Sequence, residues 1–141
     1  MKKAVIEDER KAALVEASDP VPRQDWVVVE VKAAPMCTEY KGFVAGTRAL
    51  HLGHEAAGVV AAVAQPGRVR EGDRVAVMPQ YPCGVCELCV SGDYIHCESV
   101  VDIDTFTDGG EGRAAMAQYL LKPDWLLPAI PEDVSFEHGG M

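Results

Sequence analysis

The sequence predicts a mainly β domain, built as a barrel or sandwich of short strands. Three features support this prediction: short apolar stretches, two-residue alternation in one of them, and frequent glycine- and proline-rich connections between them. The length of 141 residues suits one domain with a core of its own. With 48% hydrophobic and 25% charged residues, the composition is that of an ordinary folded protein.

The clearest strand signal lies at Trp26–Ala33, where valine recurs at every second position and Glu30 and Lys32 fall between. This alternation predicts a strand with one apolar face. The Ala- and Val-rich run that follows Glu55 contains Gly58 and three valines, which favours a buried strand over a helix. Further elements are predicted as strands at 56–64, 74–78 and 116–121 and as a short apolar piece at 125–130.

The end of the sequence predicts the beginning of a helix. Ser135 is a suitable N-cap, and Glu137 lies where the helix dipole favours negative charge. Residues 135–141 are too few to form a stable helix alone. We therefore interpret residues 1–134 as the domain and residues 135–141 as the start of a linker to a second domain that this sequence lacks.

The charge of the chain excludes some classes of partner. There are 13 basic and 22 acidic side chains, which give a net charge of −9 and repel a phosphate backbone. We therefore expect no nucleic-acid partner. No apolar run is long enough to span a membrane, and the N-terminus becomes acidic too early for a signal peptide. We expect a cytoplasmic protein with no membrane partner.

Four of the five cysteines lie within one short segment, which we call the cysteine lobe (about residues 80–100). Their spacing is C-x-x-C-x-x-C followed by a fourth cysteine, and four thiolates satisfy the tetrahedral preference of zinc. Because protein atoms fill all four positions, such a site is structural rather than catalytic. The segment has little apolar surface to bury, so the metal would supply its folding energy. The ligands are predicted to be Cys83, Cys86, Cys89 and Cys97.

Two other interpretations of the lobe are weaker. Two disulfides would need an oxidising compartment, which the odd cysteine count and the missing export signal do not favour. An iron–sulfur cluster also uses C-x-x-C-x-x-C, but its fourth cysteine normally follows sooner and precedes proline, whereas Glu98 follows Cys97 here.

Several motifs follow one another along nearly the whole chain. Residues 53–60 read Gly-His-Glu-Ala-Ala-Gly-Val-Val, residues 72–75 read Gly-Asp-Arg-Val, and the cysteine lobe comes next. Residues 117–119 and 131–137 then correspond to the strand after the lobe and the segment leading out of the domain. In this order the motifs resemble the medium-chain, zinc-dependent alcohol dehydrogenases, the superfamily of sorbitol and threonine dehydrogenases.

The resemblance implies a GroES-like β-barrel that carries a catalytic zinc, followed in family members by a Rossmann domain that binds NAD or NADP. No dinucleotide-binding fold is present in this sequence, so no cofactor-binding residue is assigned to it. The chain thus resembles the N-terminal catalytic domain alone. We expect it to be inactive in isolation, because hydride transfer needs a nicotinamide.

The same resemblance implies a catalytic zinc site at Cys37 and His54, with Glu55 beside the metal. Both ligands lie on loops at strand ends, where a scaffold can hold them rigidly. A catalytic zinc has about three protein ligands and one open position for water or substrate. Family members use a later Cys or Glu as the third ligand, so we expect that ligand to lie beyond this sequence.

The residues after Cys37 depart from the family pattern, which reads Cys, any residue, Ser or Thr, then Asp or Glu. Here Thr38 and Glu39 follow directly, one residue short. If a gap is allowed, Thr38 relays the substrate proton and Glu39 orients His54. Otherwise Glu39 itself occupies the relay position.

The predicted function is oxidation of an alcohol or polyol to an aldehyde or ketone in a zinc-dependent, NAD(P)-linked dehydrogenase. A small-molecule alcohol is the expected substrate, and a homo-oligomer is expected because apolar surface is left open for self-association. The alternative is a stand-alone, zinc-stabilised binding or assembly module without catalysis. A nucleic-acid-binding zinc ribbon is disfavoured by the acidic charge.

Overall fold

The computed structural model describes all 141 residues as a mainly β domain with short helices. None of the helices has the length and apolar character needed to cross a membrane. The strands are β1 (Lys2–Asp8), β2 (Lys11–Glu16), β3 (Trp26–Ala33), β4 (Ala56–Ala62), β5 (Arg74–Val77) and β6 (Tyr119–Pro123). The α-helices are α1 (Glu39–Ala45), α2 (Glu87–Val90), α3 (Ile103–Phe106) and α4 (Phe136–Gly139), with 3₁₀ turns at Tyr94–His96 and Asp124–Leu126.

Four strands form an antiparallel sheet in the order β5-β4-β3-β6, and β1 and β2 form a separate antiparallel pair. The chain after β6 returns to the far edge of the larger sheet, where the amide of Ala76 donates to Pro128 and that of Met78 to Leu126. Because β6 and this returning segment are continuous, the hydrogen-bonded strands close into a small barrel. Closure leaves fewer unpaired backbone groups at the sheet edges.

The barrel interior is filled mainly by small branched side chains. Its main cluster joins valines of β3, β4 and β5 with alanine and leucine from the segments around β6: Val27, Val29, Ala56, Val60, Val75, Val77, Ala115, Leu120 and Leu127. A second cluster on the other face of β3 contains Trp26, Val28, Ile103 and Leu121. Strand β3 is therefore buried on both faces over its first half, whereas its alternation predicts only one apolar face.

The strand at Trp26–Ala33 matches its prediction, and β4 and β5 end one or two residues early. The strand predicted at 116–121 is displaced toward Pro123. Residues 116–118 lie against β1 instead, where the amide of Ala4 donates to Met116. Pro123 is tolerated because β6 is the last strand of its sheet and needs no further donor.

The predicted helix start at Ser135 is confirmed, since its hydroxyl oxygen accepts a hydrogen bond from the amide of His138 at 3.3 Å. Arg74 holds the segment before this helix, because its guanidinium donates to the carbonyls of Pro131, Glu132 and Val134 at 2.9, 2.9 and 2.6 Å. The Gly-Asp-Arg-Val motif therefore connects β5 to the end of the chain.

Gly58 lies in β4 between β3 and β5, and a Cβ there would run into the carbonyl oxygen of Glu30. We expect Gly58→Ala to lower the free energy of unfolding by about 2–3 kcal/mol, as overpacking of a rigid core does. Chemical denaturation of both proteins measures this. The matched control is Gly42→Ala in α1, where the nearest atom lies 3.6 Å from the added carbon. Equal losses in the two variants would contradict the steric argument.

Candidate metal centres

The four cysteines of the lobe converge in space. Their sulfur atoms all lie within 4.8 Å of one another, with 3.9 Å from Cys83 to Cys89 and 4.0 Å from Cys86 to Cys97. A tetrahedron of thiolates around zinc has sulfurs about 3.8 Å apart, given zinc–sulfur bonds of about 2.3 Å. A disulfide would bring two sulfurs to about 2.05 Å, and all the cysteines are free. The donor set and its dimensions thus fit a tetrahedral metal ion.

Short turns bring the thiols together. Cys86 is the N-cap of α2, and the helix places Cys89 inside the lobe. Backbone amides turn toward the sulfurs: that of Cys86 donates to Cys83 at 3.4 Å, and that of Cys83 donates to Cys97 at 3.2 Å. Backbone N–H groups that donate to sulfur stabilise the negative charge of a metal-bound thiolate.

These surroundings affect the thiols unequally. Backbone hydrogen bonds from Val85 and Cys86 lower the pKa of Cys83 to about 6. Burial raises the pKa of Cys89 to about 12. Without a metal the lobe therefore holds an easily ionised thiol beside one that resists ionisation. A bound cation would bring all four to the thiolate form and release protons as it did so.

A second group of possible ligands lies between β3 and β4. The sulfur of Cys37, a ring nitrogen of His54 and a carboxylate oxygen of Glu55 lie within 4.8 Å of one another. Cys37 is exposed, and the other two residues are partly buried. Sulfur, imidazole and carboxylate together are a ligand set that suits zinc. Because Cys37 is exposed, solvent can reach this group of ligands.

Glu39, in the first turn of α1, connects two members of this group. Its Oε1 lies 2.7 Å from Nδ1 of His54, and its Oε2 accepts a hydrogen bond from the amide of Cys37 at 3.0 Å. Burial raises the pKa of Glu39, but hydrogen bonds from its own amide, from Cys37 and from His54 outweigh this and leave the pKa below its usual value. An ionised Glu39 directs the proton of His54 to Nδ1 and leaves Nε2 free as a ligand atom.

Thr38 lies beside this group at the N-cap position of α1, but its side chain makes no capping hydrogen bond. Thr38 is exposed to solvent.

The family model for the alcohol dehydrogenase GroES-like domain matches residues 23–132, which include both groups of candidate ligands. The chain belongs to this family. The prediction of a mainly β, GroES-like fold with a four-cysteine lobe is therefore confirmed.

Comparison with individual proteins also finds dehydrogenases that are similar to this GroES-like domain. A zinc-type alcohol dehydrogenase-like protein of Escherichia coli K12, YdjJ, is 31% identical over 99% of the chain and 42% of its own length. The sorbitol dehydrogenase of Bacillus subtilis is 31% identical over the whole chain and 41% of its own length. A crystal structure of RspB from E. coli CFT073, an alcohol dehydrogenase in complex with NADH, superposes with a TM-score of 0.75 at 27% identity, over the whole chain and 41% of that protein. The chain thus spans about two fifths of the length of these relatives.

A small cavity beside His54 was not predicted from the sequence. His54 lines a cavity of about 170 Å³ together with Tyr81, Arg113 and Lys122. Lys122 is only 1% exposed. A single cation within an otherwise apolar strand was the available signal.

Proposed function

We propose that this domain carries the catalytic metal of a zinc-dependent dehydrogenase that oxidises an alcohol or polyol with NAD or NADP as hydride acceptor. The observation that supports it best is the convergence of Cys37, His54 and Glu55, with Glu39 bonded to the histidine. Zinc in such a site acts as a Lewis acid that polarises the alcohol oxygen and favours loss of its proton. Sorbitol dehydrogenase among the relatives favours a polyol.

In this proposal Cys37, His54 and Glu55 are all ligands. Three protein ligands are the usual number at a catalytic zinc, and they leave one position for the substrate. The proposal therefore needs no third ligand beyond this sequence, which differs from the expectation that the resemblance gave.

The same geometry supports different roles for the two residues after Cys37. Both carboxylate oxygens of Glu39 are already engaged, one by His54 and one by the amide of Cys37. In this proposal Glu39 positions His54, and the exposed hydroxyl of Thr38 relays the proton of the substrate, accepting it while passing its own proton to solvent. This assignment follows the gapped alignment with the family pattern.

The lobe has a different task in the proposal. Cys83, Cys86, Cys89 and Cys97 hold a structural zinc that fixes the conformation of the loop between β5 and α3. Binding of the nicotinamide cofactor is left to residues outside this chain, because no dinucleotide-binding motif was identified within it.

Zinc content tests the assignment of two sites. We expect about two zinc ions per chain by elemental analysis after equilibration with excess zinc, because each ligand group is sufficient for one ion. Cys37→Ser should reduce this to about one without changing the fold, since Cys37 is exposed. In the protein that contains this chain, the same substitution should reduce NAD(P)-dependent polyol oxidation by about 10²-fold or more.

Two results would contradict the function. One is a zinc content that Cys37→Ser leaves at two per chain. The other is polyol oxidation that proceeds unchanged in that variant. A matched control is Ser91→Ala on the lobe, whose exposed hydroxyl contacts only the carbonyl of Leu88.

A further inference from the structure

Lys122 is a buried cation without a counterion. Its side chain points into the barrel end, where β6 lies opposite Val27 of β3. No carboxylate lies within ion-pair distance of its ammonium group. The group donates to the carbonyls of Gln80 at 2.8 Å and Pro79 at 3.5 Å, and it lies 3.5 Å from the centre of the Tyr81 ring.

These contacts compensate the charge only in part. Removing an ammonium ion from water costs several kcal/mol, which two carbonyls and an aromatic face recover incompletely. Burial correspondingly lowers the pKa of Lys122 to about 7. An apolar residue would fill this core position without such a cost, so packing does not explain the lysine.

The cavity beside Lys122 has the character of an anion site. Among its nine lining residues are Lys122, Arg113 and His54, and none is acidic. Arg113 is half exposed and is paired with Asp104 at 2.8 Å, so of these two cations it is Lys122 that lacks a carboxylate partner. The volume of about 170 Å³ is that of about six water molecules in the liquid, enough for a carboxylate or phosphate group.

We propose that this cavity binds an oxyanion group of the substrate, a carboxylate or a phosphate, with Lys122 and Arg113 as its partners. The inference rests on the proposed function, because His54 connects the cavity to the proposed catalytic metal. The substrate would then be an alcohol that also carries a negative charge, such as a hydroxy acid or a polyol phosphate. A neutral polyol would give the ammonium form of Lys122 no negatively charged partner.

The anion site is tested by titrating the zinc-loaded 141-residue chain with inorganic phosphate, acetate or glycerol. Binding is monitored by the NMR shifts of amide and side-chain groups. We expect saturable shifts around Lys122, Tyr81 and Arg113 with an oxyanion and none with glycerol. Lys122→Met should weaken oxyanion binding by about tenfold or more, because a charge-assisted contact is lost. Lys2→Met is the matched control, since this exposed lysine lies outside the cavity, and it should bind as the unmodified chain does.

The two oxyanions distinguish the sources of the charge. Tighter binding of phosphate indicates a phosphorylated substrate, and tighter binding of acetate indicates a carboxylate. Absence of saturable binding by both, or equal affinity in the unmodified chain and Lys122→Met, overturns the proposal.

A second variant protects the test against misfolding at the buried lysine. Arg113→Gln alters a half-exposed side chain and should weaken oxyanion binding severalfold while the melting temperature changes little. Cys37→Ser separates this inference from the proposed function. Loss of the second zinc in that variant with oxyanion binding retained supports both. If Cys37→Ser retains two zinc ions, the assignment of the second metal site is overturned. The anion site is then tested by Lys122→Met alone.

Discussion

Replacement of Cys89 by serine is expected to release zinc from the lobe and to unfold the segment around residues 83–97. Cys89 is 4% exposed, and its sulfur faces that of Cys83 at 3.9 Å. A serine hydroxyl is a poor ligand for zinc, so three thiols remain where four are needed. The buried position also leaves the new hydroxyl without an evident partner.

The expected loss is large because the lobe has almost no core of its own. Its apolar residues Val85, Val90 and Ile95 are 81%, 77% and 69% exposed. Metal binding in small zinc domains contributes about 10 kcal/mol or more, which packing of this kind cannot replace. The barrel retains its own valine-rich cluster. We therefore expect local unfolding of the lobe and a smaller effect on the rest of the domain.

Zinc content and hydrogen exchange, measured together, check this prediction. Cys89→Ser should lose about one zinc per chain, and amides of the lobe should lose protection while those of β3 and β4 keep it. Cys37→Ser is the matched control, because it also removes one thiol and one zinc but leaves the lobe protected. An unchanged zinc content and melting curve for Cys89→Ser would show that the lobe is held by something other than metal.

The sequence predicts the strands of the barrel where local pattern and burial agree. Strands β3, β4 and β5 carry valine-rich runs bounded by turn residues, and their positions are accurate to within two residues. Strands β1 and β2 were not predicted. The sequence of β2, Lys-Ala-Ala-Leu-Val-Glu, consists largely of residues that favour helices, and it becomes a strand because it pairs with β1.

Some parts of the candidate sites can also be predicted from the local sequence, and others cannot. The four cysteines of the lobe are predicted by spacing alone, since near neighbours in sequence must be near in space. The grouping of Cys37 with His54 came from the family resemblance, because no local rule joins a residue before α1 to one before β4. The hydrogen bond that His54 donates to Glu39 supports one of the two open alternatives for Glu39, and it depends on the three-dimensional path of α1. A single cation in an apolar strand marks Lys122 as unusual, but its surroundings depend on the closed barrel and cannot be inferred from the local sequence.

Replacement of Glu39 is expected to weaken the second metal site without emptying the lobe. Glu39 accepts a hydrogen bond from Nδ1 of His54 and another from the backbone amide of Cys37. It therefore fixes the positions of two proposed ligands. Loss of such a supporting carboxylate typically costs 10–100-fold in metal affinity or activity. We expect about tenfold for Glu39→Gln, which keeps one acceptor for the histidine, and about 100-fold for Glu39→Ala.

Competition with a chromogenic chelator measures both zinc affinities in one chain, and the lobe serves as internal reference. The tighter site should be unchanged in both variants, and only the weaker site should shift. Glu16→Gln, an exposed residue at the end of β2, controls for the loss of one negative charge. Because Glu39 also lies in the first turn of α1, melting of the metal-free proteins reports any loss of the helix separately.

Equal weakening of zinc binding by Glu39→Gln and Glu16→Gln would mean that net charge sets the affinity. A graded loss from glutamate to glutamine to alanine would instead mean that the orientation of His54 sets it, and that a side chain which touches no metal holds the catalytic geometry.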